Sequence, residues 1–334
     1  MEPPQDGAQI VSCPAPLVRD DSTKPMSDAP MSQSSTPKIQ NLDAARRGDL
    51  HLSEPERALL TRIEEKVASG KFELPQMPST SSAVIALAND PKAEIGDIVD
   101  LISKDLTLST DLLKMANSAA FGAKTQIETI RDAVARLGMR RLRSLIFAAS
   151  MRSVMKGPKE VMDYTNELWR QSNSVAGIAR AIAKADDLDP EKAFLIGLLL
   201  DVGKIPILGI LSDEARKGVT LSPMLVGTAF HRFHEEAGRA MALAWNLSEE
   251  FCSVAGHHHD FATNEAYPRT AALVNLAHKL DLYLSTGEAD EYRDLENYSE
   301  LEFLGLDEAK ANAIFDDAAR VFGELHPDAQ RQAA

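Results

Sequence analysis

Residues 190–201, PEKAFLIGLLLD, constrain the fold more than any other stretch. Phe194, Leu195, Ile196, Leu198, Leu199 and Leu200 cover a helix nearly all round. Such a helix has to be central, so the rest of the chain must enclose it. It also ends on a carboxylate, Asp201. The helix dipole disfavours a negative charge there, and burial costs several kcal/mol unless the charge is paired or coordinated. Lys204, three residues on, is one candidate partner, and histidines from elsewhere are another. A carboxylate held by a local ion pair predicts that Asp201→Asn costs only about 1 kcal/mol.

What encloses this helix is legible from apolar spacing. From residue 79 every substantial apolar run has helical period. Helices are expected at about 79–89, 94–103, 106–118, 127–136, 139–155, 161–185, 190–201, 205–211, 224–246, 249–259, 269–285 and 308–323. Asp90-Pro91, Lys104-Asp105, Phe121-Gly122 and Gly138 mark turns, and KGPKE (156–160) is a linker. Asp189-Pro190 supplies an N-cap and a proline at the first helical position. Ser248, followed by Glu249 and Glu250, is another N-cap with acids in the first turn. Ahead of these, Ser53-Glu-Pro-Glu56 is a capping-box pattern. Leu59, Leu60, Ile63 and Val67 follow it on one face, and LPQMP (74–78) then breaks the chain. No run alternates as a strand would and no fixed-period repeat appears, so the expected fold class is all-α.

The first 40 residues hold seven of the 17 prolines and eight Ser/Thr. Such a segment buries too little surface to offset its ordering entropy; residues 1–50 read as a disordered tail, 51–70 as a leading helix and 327–334 as a second tail. Net charge is −14 and the sequence pI about 5.1, against general affinity for nucleic acid or anionic membranes. Cys13 and Cys252 fit no thiol motif, so a reducing compartment and no disulfide framework are expected. No run of about 18 apolar residues suggests a membrane span, and the N-terminus lacks the plan of a secretory signal. The expectation is a cytoplasmic protein.

Several polar residues interrupt apolar faces. Gln171 falls in phase with Leu168, Val175, Ile178 and Ile182. Five of the eight histidines lie between 231 and 259. His231 and His234 share a helix face, and His257-His258-His259 closes the next helix. A metal reading needs neutral imidazoles and carboxylates converging on one cavity; cations completing a helix C-terminus are the alternative.

The order of these residues resembles the HDOD family, the HD-related output domains of bacterial signalling proteins, over about residues 70–325. The resemblance rests on LPQMPSTSSAVIALANDP, ISKDLTLSTDLLKMANSAAFG and IETIRDAVARLGMRRLRSLIFAAS in the first half. Leu106 stands where the family usually has proline, while Asn117-Ser118 is intact. In the second half FHEEAGRAMALAWNL, through His234, Gly238 and Trp245, and GHHHD, through His258 and His259, match further family segments. The resemblance implies a domain over 71–326 with two helical subdomains, 72–157 and 158–325. The second would derive from HD phosphohydrolases, which bind metal through H…HD…D. Here those four positions read Gln171, Leu200, Asp201 and His278, so only the aspartate survives.

The resemblance therefore implies a non-catalytic signalling module with no cofactor, acting through protein–protein contact with a bacterial signalling protein. A metal-dependent phosphohydrolase acting on a nucleotide or cyclic dinucleotide is the alternative, with a divalent metal in a shell of Asp201, His234, His258 and His278. Arg140, Arg141 and Arg143 in MRRLRSLIF (139–147), with Arg131 and Arg136 upstream, carry a third reading, a DNA-binding helix. A partner is expected to dock where the two subdomains meet, with Asn117, Ser118 and Phe121 as candidate cleft residues.

Overall fold

The computed structural model describes residues 52–90, 92–117, 126–155, 159–286 and 298–325. The expected tails therefore lie outside the described residues, as do Ser118 and Phe121 and most of the KGPKE linker. Among the described residues the chain is helical with no strand, and all of them belong to one compact unit.

The helices are α1 (Glu54–Ala68), α2 (Ser79–Asn89), α3 (Ile95–Ser103), α4 (Leu106–Ala116), α5 (Ile130–Val154), α6 (Met162–Ala185), α7 (Pro190–Leu199), α8 (Lys204–Arg216), α9 (Pro223–Ala244), α10 (Glu249–Gly256), α11 (Pro268–Thr286), α12 (Ser299–Leu304) and α13 (Glu308–Leu325). Helix α12 was not foreseen: six residues are too few to show a period. Gly138 breaks α5 as expected, with φ 72° in the region that favours glycine. Helix α8 runs past the expected residue 211. Its polar end is held down, because Arg62 of α1 and Lys217 both reach the nearly buried Glu214.

The caps explain several starts. Glu56 Oε2 accepts from both Ser53 N and Ser53 Oγ, at 2.8 and 2.7 Å. Asp189 Oδ1 accepts from Glu191 N and Lys192 N, and Ser248 Oγ from Phe251 N. Leu106 is 81% exposed at the first position of α4; proline is readily accepted at such a position, where the backbone N–H has no intrahelical partner.

Helices α2–α5 pack chiefly on one another, and α5 meets α7. Around α7 lie α6, α10 and α11, while α13 covers α6 and α1 lies on α9. Phe194, Leu198 and Leu199 are fully buried, so α7 is the central helix its composition demands. The stretch Pro190–Arg216 is in fact long and apolar enough for a bilayer by composition, once α8 is counted with α7. Yet 89% of its most apolar window is buried inside the protein, so its apolarity is used by the core.

Candidate functional site: a buried histidine–aspartate centre

The corner between α7 and α8 places the aspartate. The chain turns through Leu200–Gly203, with Lys204 N donating to Asp201 O at 2.9 Å. This changes the electrostatic expectation: Asp201 follows the C-terminus of α7 but also lies two residues before the N-cap Gly203 of α8, whose N-terminal partial charge favours an anion. The corner lies tightly against α9. A Cβ on Gly203 would come 1.9 Å from His234 O and 2.3 Å from Gly238 N, so only glycine fits.

Asp201 and Lys204 form a buried ion pair. Lys204 Nζ donates to Asp201 Oδ2 at 2.7 Å, with side chains 2% and 4% exposed. Burial, the largest single influence, opposes ionisation of Asp201, but the Lys204 ammonium together with His278, His234 and His258 outweighs it and holds the carboxyl well below the usual range. The second oxygen, Asp201 Oδ1, is buried and accepts no hydrogen bond. It faces His234 Nε2 at 3.6 Å and His258 Nε2 at 3.9 Å.

Three imidazoles converge beside that oxygen. His234, from the middle of α9, sets its Nδ1 2.5 Å from Phe230 O. That nitrogen must donate, which leaves His234 Nε2 as a lone-pair acceptor. His258 Nε2 lies 3.2 Å from it and His259 Nε2 3.0 Å. The sequence placed all three residues of His257–His259 on a helix, but α10 ends at Gly256 and His257 leaves the helical conformation, with φ −151° and ψ 42°. The reason matters to the site: consecutive helical residues point about 100° apart, whereas the unwound segment turns His258 and His259 to the same point. Asn275 Nδ2 donates to His258 O, and Glu235 accepts from His259 N.

Two of the remaining predicted positions, His278 and Gln171, lie side by side. His278 Nε2 stands 3.9 Å from Asp201 Oδ2 and 3.5 Å from Gln171 Nε2. Leu200 is buried among apolar neighbours and offers no donor. Burial lowers the pKa of all four histidines, 234, 258, 259 and 278, so they are neutral at pH 7. Asp281, one turn beyond His278, moves the other way. Burial, with the Asp201 charge adding, pushes it up to about 7. Asp281 went unnoticed in the sequence; its i, i+3 relation to His278 was the available signal.

These residues fit a single metal ion. Among the described residues His234, His258 and His259 offer ligand nitrogens within 4.8 Å of one another. The 3.0 and 3.2 Å separations approach the edge of a tetrahedral zinc–imidazole shell, about 3.3 Å. His234 Nε2 has one in-plane lone pair for two facing imidazoles, and Asp201 Oδ1 lacks a donor; a cation would satisfy both. Compared with the shell expected from the sequence, His259 replaces His278. No second set of carboxylates stands at the Gln171, Leu200 and His278 positions.

The other candidate sites resolve differently. Asn117 is occupied in closing its own loop. Its Nδ2 donates to Leu113 O and Ile127 O, and its Oδ1 accepts from Ile127 N at 2.7 Å. It lies in a groove of its own with Thr110 and Gln126, away from the junction of the two halves. That junction is instead a cleft lined by Arg140, Asp189, Lys192 and Trp245, among others. The arginines of α5 are engaged there. Arg140 pairs with Asp189 at 2.9 Å and Arg141 with Glu191 at 3.1 Å, while Glu191 also holds the buried Arg180. They fasten α5 to α7 instead of forming an unpaired basic face.

Known proteins share this arrangement of helices. A crystal structure of an HDOD domain protein of unknown function from Geobacter sulfurreducens is 25% identical, with a TM-score of 0.61 over 81% of this chain and 98% of that one. A proposed metal-dependent phosphohydrolase from Shewanella amazonensis SB2B is 19% identical, with a TM-score of 0.65 over 82% of this chain and all of the other. A proposed signal transduction protein from Marinobacter aquaeolei VT8 is 19% identical, with a TM-score of 0.53 over 90% and 68% of the two chains. An uncharacterized protein of Treponema pallidum (strain Nichols) is 30% identical over 229 residues; the match takes in 65% of this chain but only 44% of that relative. The family model for the HDOD domain matches residues 74–261, more than half the chain. The chain belongs to the HDOD domain family.

Proposed function

We propose that this HDOD protein is a non-catalytic signalling module that works in the bacterial cytoplasm by binding another signalling protein. The observation that carries this reading is the state of Asp201. It is the one carboxylate left of the H…HD…D set, and a buried lysine already neutralises it at 2.7 Å. Phosphodiester hydrolysis at such centres relies on charge placed on both the attacking and the leaving oxygen. Gln171 and Leu200 stand where the pattern has imidazoles and His278 where it has its second carboxylate, and Leu200 puts apolar surface at the place of a ligand.

A metal-dependent phosphohydrolase is the second reading, favoured by the three convergent imidazoles and the orphaned Asp201 Oδ1. A divalent metal held by His234, His258, His259 and Asp201 would supply a Lewis acid and a more acidic bound water. In this chain Phe230 O orients His234, Glu235 and Asn275 hold the His258–His259 segment, and Lys204 fixes the carboxylate.

Metal analysis of the purified protein, run beside hydrolysis of cyclic di-GMP with added Mg²⁺, Mn²⁺ or Zn²⁺, separates the two. No turnover is expected under any of these metals, including when one ion per chain is bound. Turnover that disappears with Asp201→Ala, together with the metal, would establish the phosphohydrolase.

A further inference from the structure

The histidine–aspartate centre has two features that a permanently held metal does not call for. The first is Lys204. Its ammonium lies 2.7 Å from Asp201 Oδ2, in a site where both side chains are at most 4% exposed. A cation at Asp201 Oδ1 would share that carboxylate with Lys204 and be repelled by it at short range. The neutral imidazoles bring no charge to offset the repulsion. Such a shell can hold an ion and still let it exchange.

The second is where the ligands come from. His234 sits in the middle of α9, its Nε2 aimed by the contact of Nδ1 with Phe230 O. His258 and His259 come instead from the unwound stretch after α10, and His259 is the least buried of the three. This stretch is tied to α9 through His259 N, which donates to Glu235 Oε1 at 3.2 Å, and to α11 through Asn275 Nδ2, which donates to His258 O. His258 Nδ1 is buried without a hydrogen bond and faces Glu235 Oε1 at 3.7 Å. Beyond the histidines the chain enters a single 3₁₀ turn, Phe261–Thr263. Phe261 packs on Phe303 of α12, with ring centroids 5.2 Å apart, and Phe303 is 44% exposed. Asn264 closes the far end, its Oδ1 accepting from Ser253 Oγ and Tyr267 N, both at 3.0 Å. An ion joining His258 and His259 to His234 would clamp the near end in the same way.

We infer that the centre is a sensor: it reversibly binds one late first-row divalent ion, of the Zn²⁺ class, and the ion locks residues 257–264 onto α9. His234, His258, His259 and Asp201 ligate it. Three imidazoles and one carboxylate suit such an ion, whereas Mg²⁺ and Ca²⁺ favour shells of oxygen. Glu235 is a positioning residue that orients His258 through Nδ1, as carboxylates behind metal-bound histidines do. Occupancy of the buried centre thereby reaches the surface at Phe261 and Phe303, which a signalling module requires of its input. This inference rests on the non-catalytic reading above and gives that module its signal.

Cobalt titration of the chelator-stripped, dialysed full chain tests it. Co²⁺ should bind at one ion per chain with the strong visible bands of tetrahedral coordination, and Zn²⁺ should bleach them. His259→Ala should weaken binding about tenfold or more. His259→Cys should restore it, with a new thiolate–cobalt band. Glu235→Gln should weaken it by about 10–100-fold. His278→Ala should keep the wild-type affinity, and Lys204→Met should bind about tenfold tighter or more. Hydrogen exchange at 257–264 should slow with Zn²⁺ while α13 stays unchanged. Circular dichroism checks that each variant is folded. Five results would overturn the inference: no tetrahedral cobalt spectrum, Mg²⁺ competing as well as Zn²⁺, binding lost in His278→Ala but kept in His259→Ala, Lys204→Met binding no tighter than wild type, or ion binding without slower exchange at 257–264. If no ion binds, the non-catalytic reading stands and the sensor falls. If an ion binds and cyclic di-GMP is turned over, that reading falls, and the ion's role as a signal with it, while ion binding stands.

Discussion

Lys204→Met removes one end of the Asp201–Lys204 pair and leaves an uncompensated carboxylate in a site where both side chains are at most 4% exposed. Methionine keeps the length and the apolar stem, so loss of packing is small. Breaking a buried pair at one end costs about 3–5 kcal/mol, which for a protein of this size lowers the melting temperature by roughly 6–20 °C. Asp201→Asn should cost a similar amount, since Lys204 Nζ would then be buried without its counter-charge. This replaces the figure of about 1 kcal/mol expected from the sequence for a local ion pair. Removing both charges in Asp201→Asn/Lys204→Met should cost clearly less than the two single changes together, because neither charge is left alone. Urea titration of the four proteins in chelator, at pH 7, gives the double-mutant cycle. Lys204→Met within about 1 kcal/mol of wild type, or a double variant equal to the sum of the singles, would refute the argument that the pair is buried and coupled.

Acid should destabilise the metal-free protein steeply. The four histidines of the centre have folded-state pKa values below 6.5, so the unfolded chain binds more protons as pH falls below about 6.5, and each histidine removes about 1.4 kcal/mol per pH unit. Asp281, raised to about 7, acts with the opposite sign: its contribution is present below the unfolded carboxylate pKa and is lost as pH rises towards 7, so it partly offsets the histidines in that window. Chelator-treated protein melted from pH 7.5 to 5 should lose stability as pH falls; a flat profile would mean the histidines are solvated. Gly203→Ala would set a methyl against His234 O and Gly238 N and should cost at least about 3 kcal/mol. Gly209→Ala, where nothing lies within 4 Å, is the matched control and should be nearly neutral in the same melts.

The sequence by itself determined the helices and their faces. Period 3.6 and local caps act within a few residues, so Asp189, Ser248 and Gly138 fix their starts and breaks wherever the helices later go. It also marked Asp201, His234, His258, His259 and His278 as residues out of keeping with their surroundings. Which of them meet is a property of the tertiary structure. The sequence reading grouped His278 with Asp201, His234 and His258; His278 does stand 3.9 Å from Asp201, beside Gln171, and the end of α10 at Gly256 brings His259 to His234 as well. Asn117, Ser118 and Phe121 were assigned to the junction as polar and aromatic residues at a helix end; Asn117 closes a local loop, while Ser118 and Phe121 lie outside the described residues. The arginines of 139–147 read as a free basic face until α7 supplied Asp189 and Glu191. In each case the deciding quantity is a distance between residues far apart in the chain. Such distances depend on how close two helices can pack, as at Gly203 against Gly238, and no periodicity within one helix carries that information.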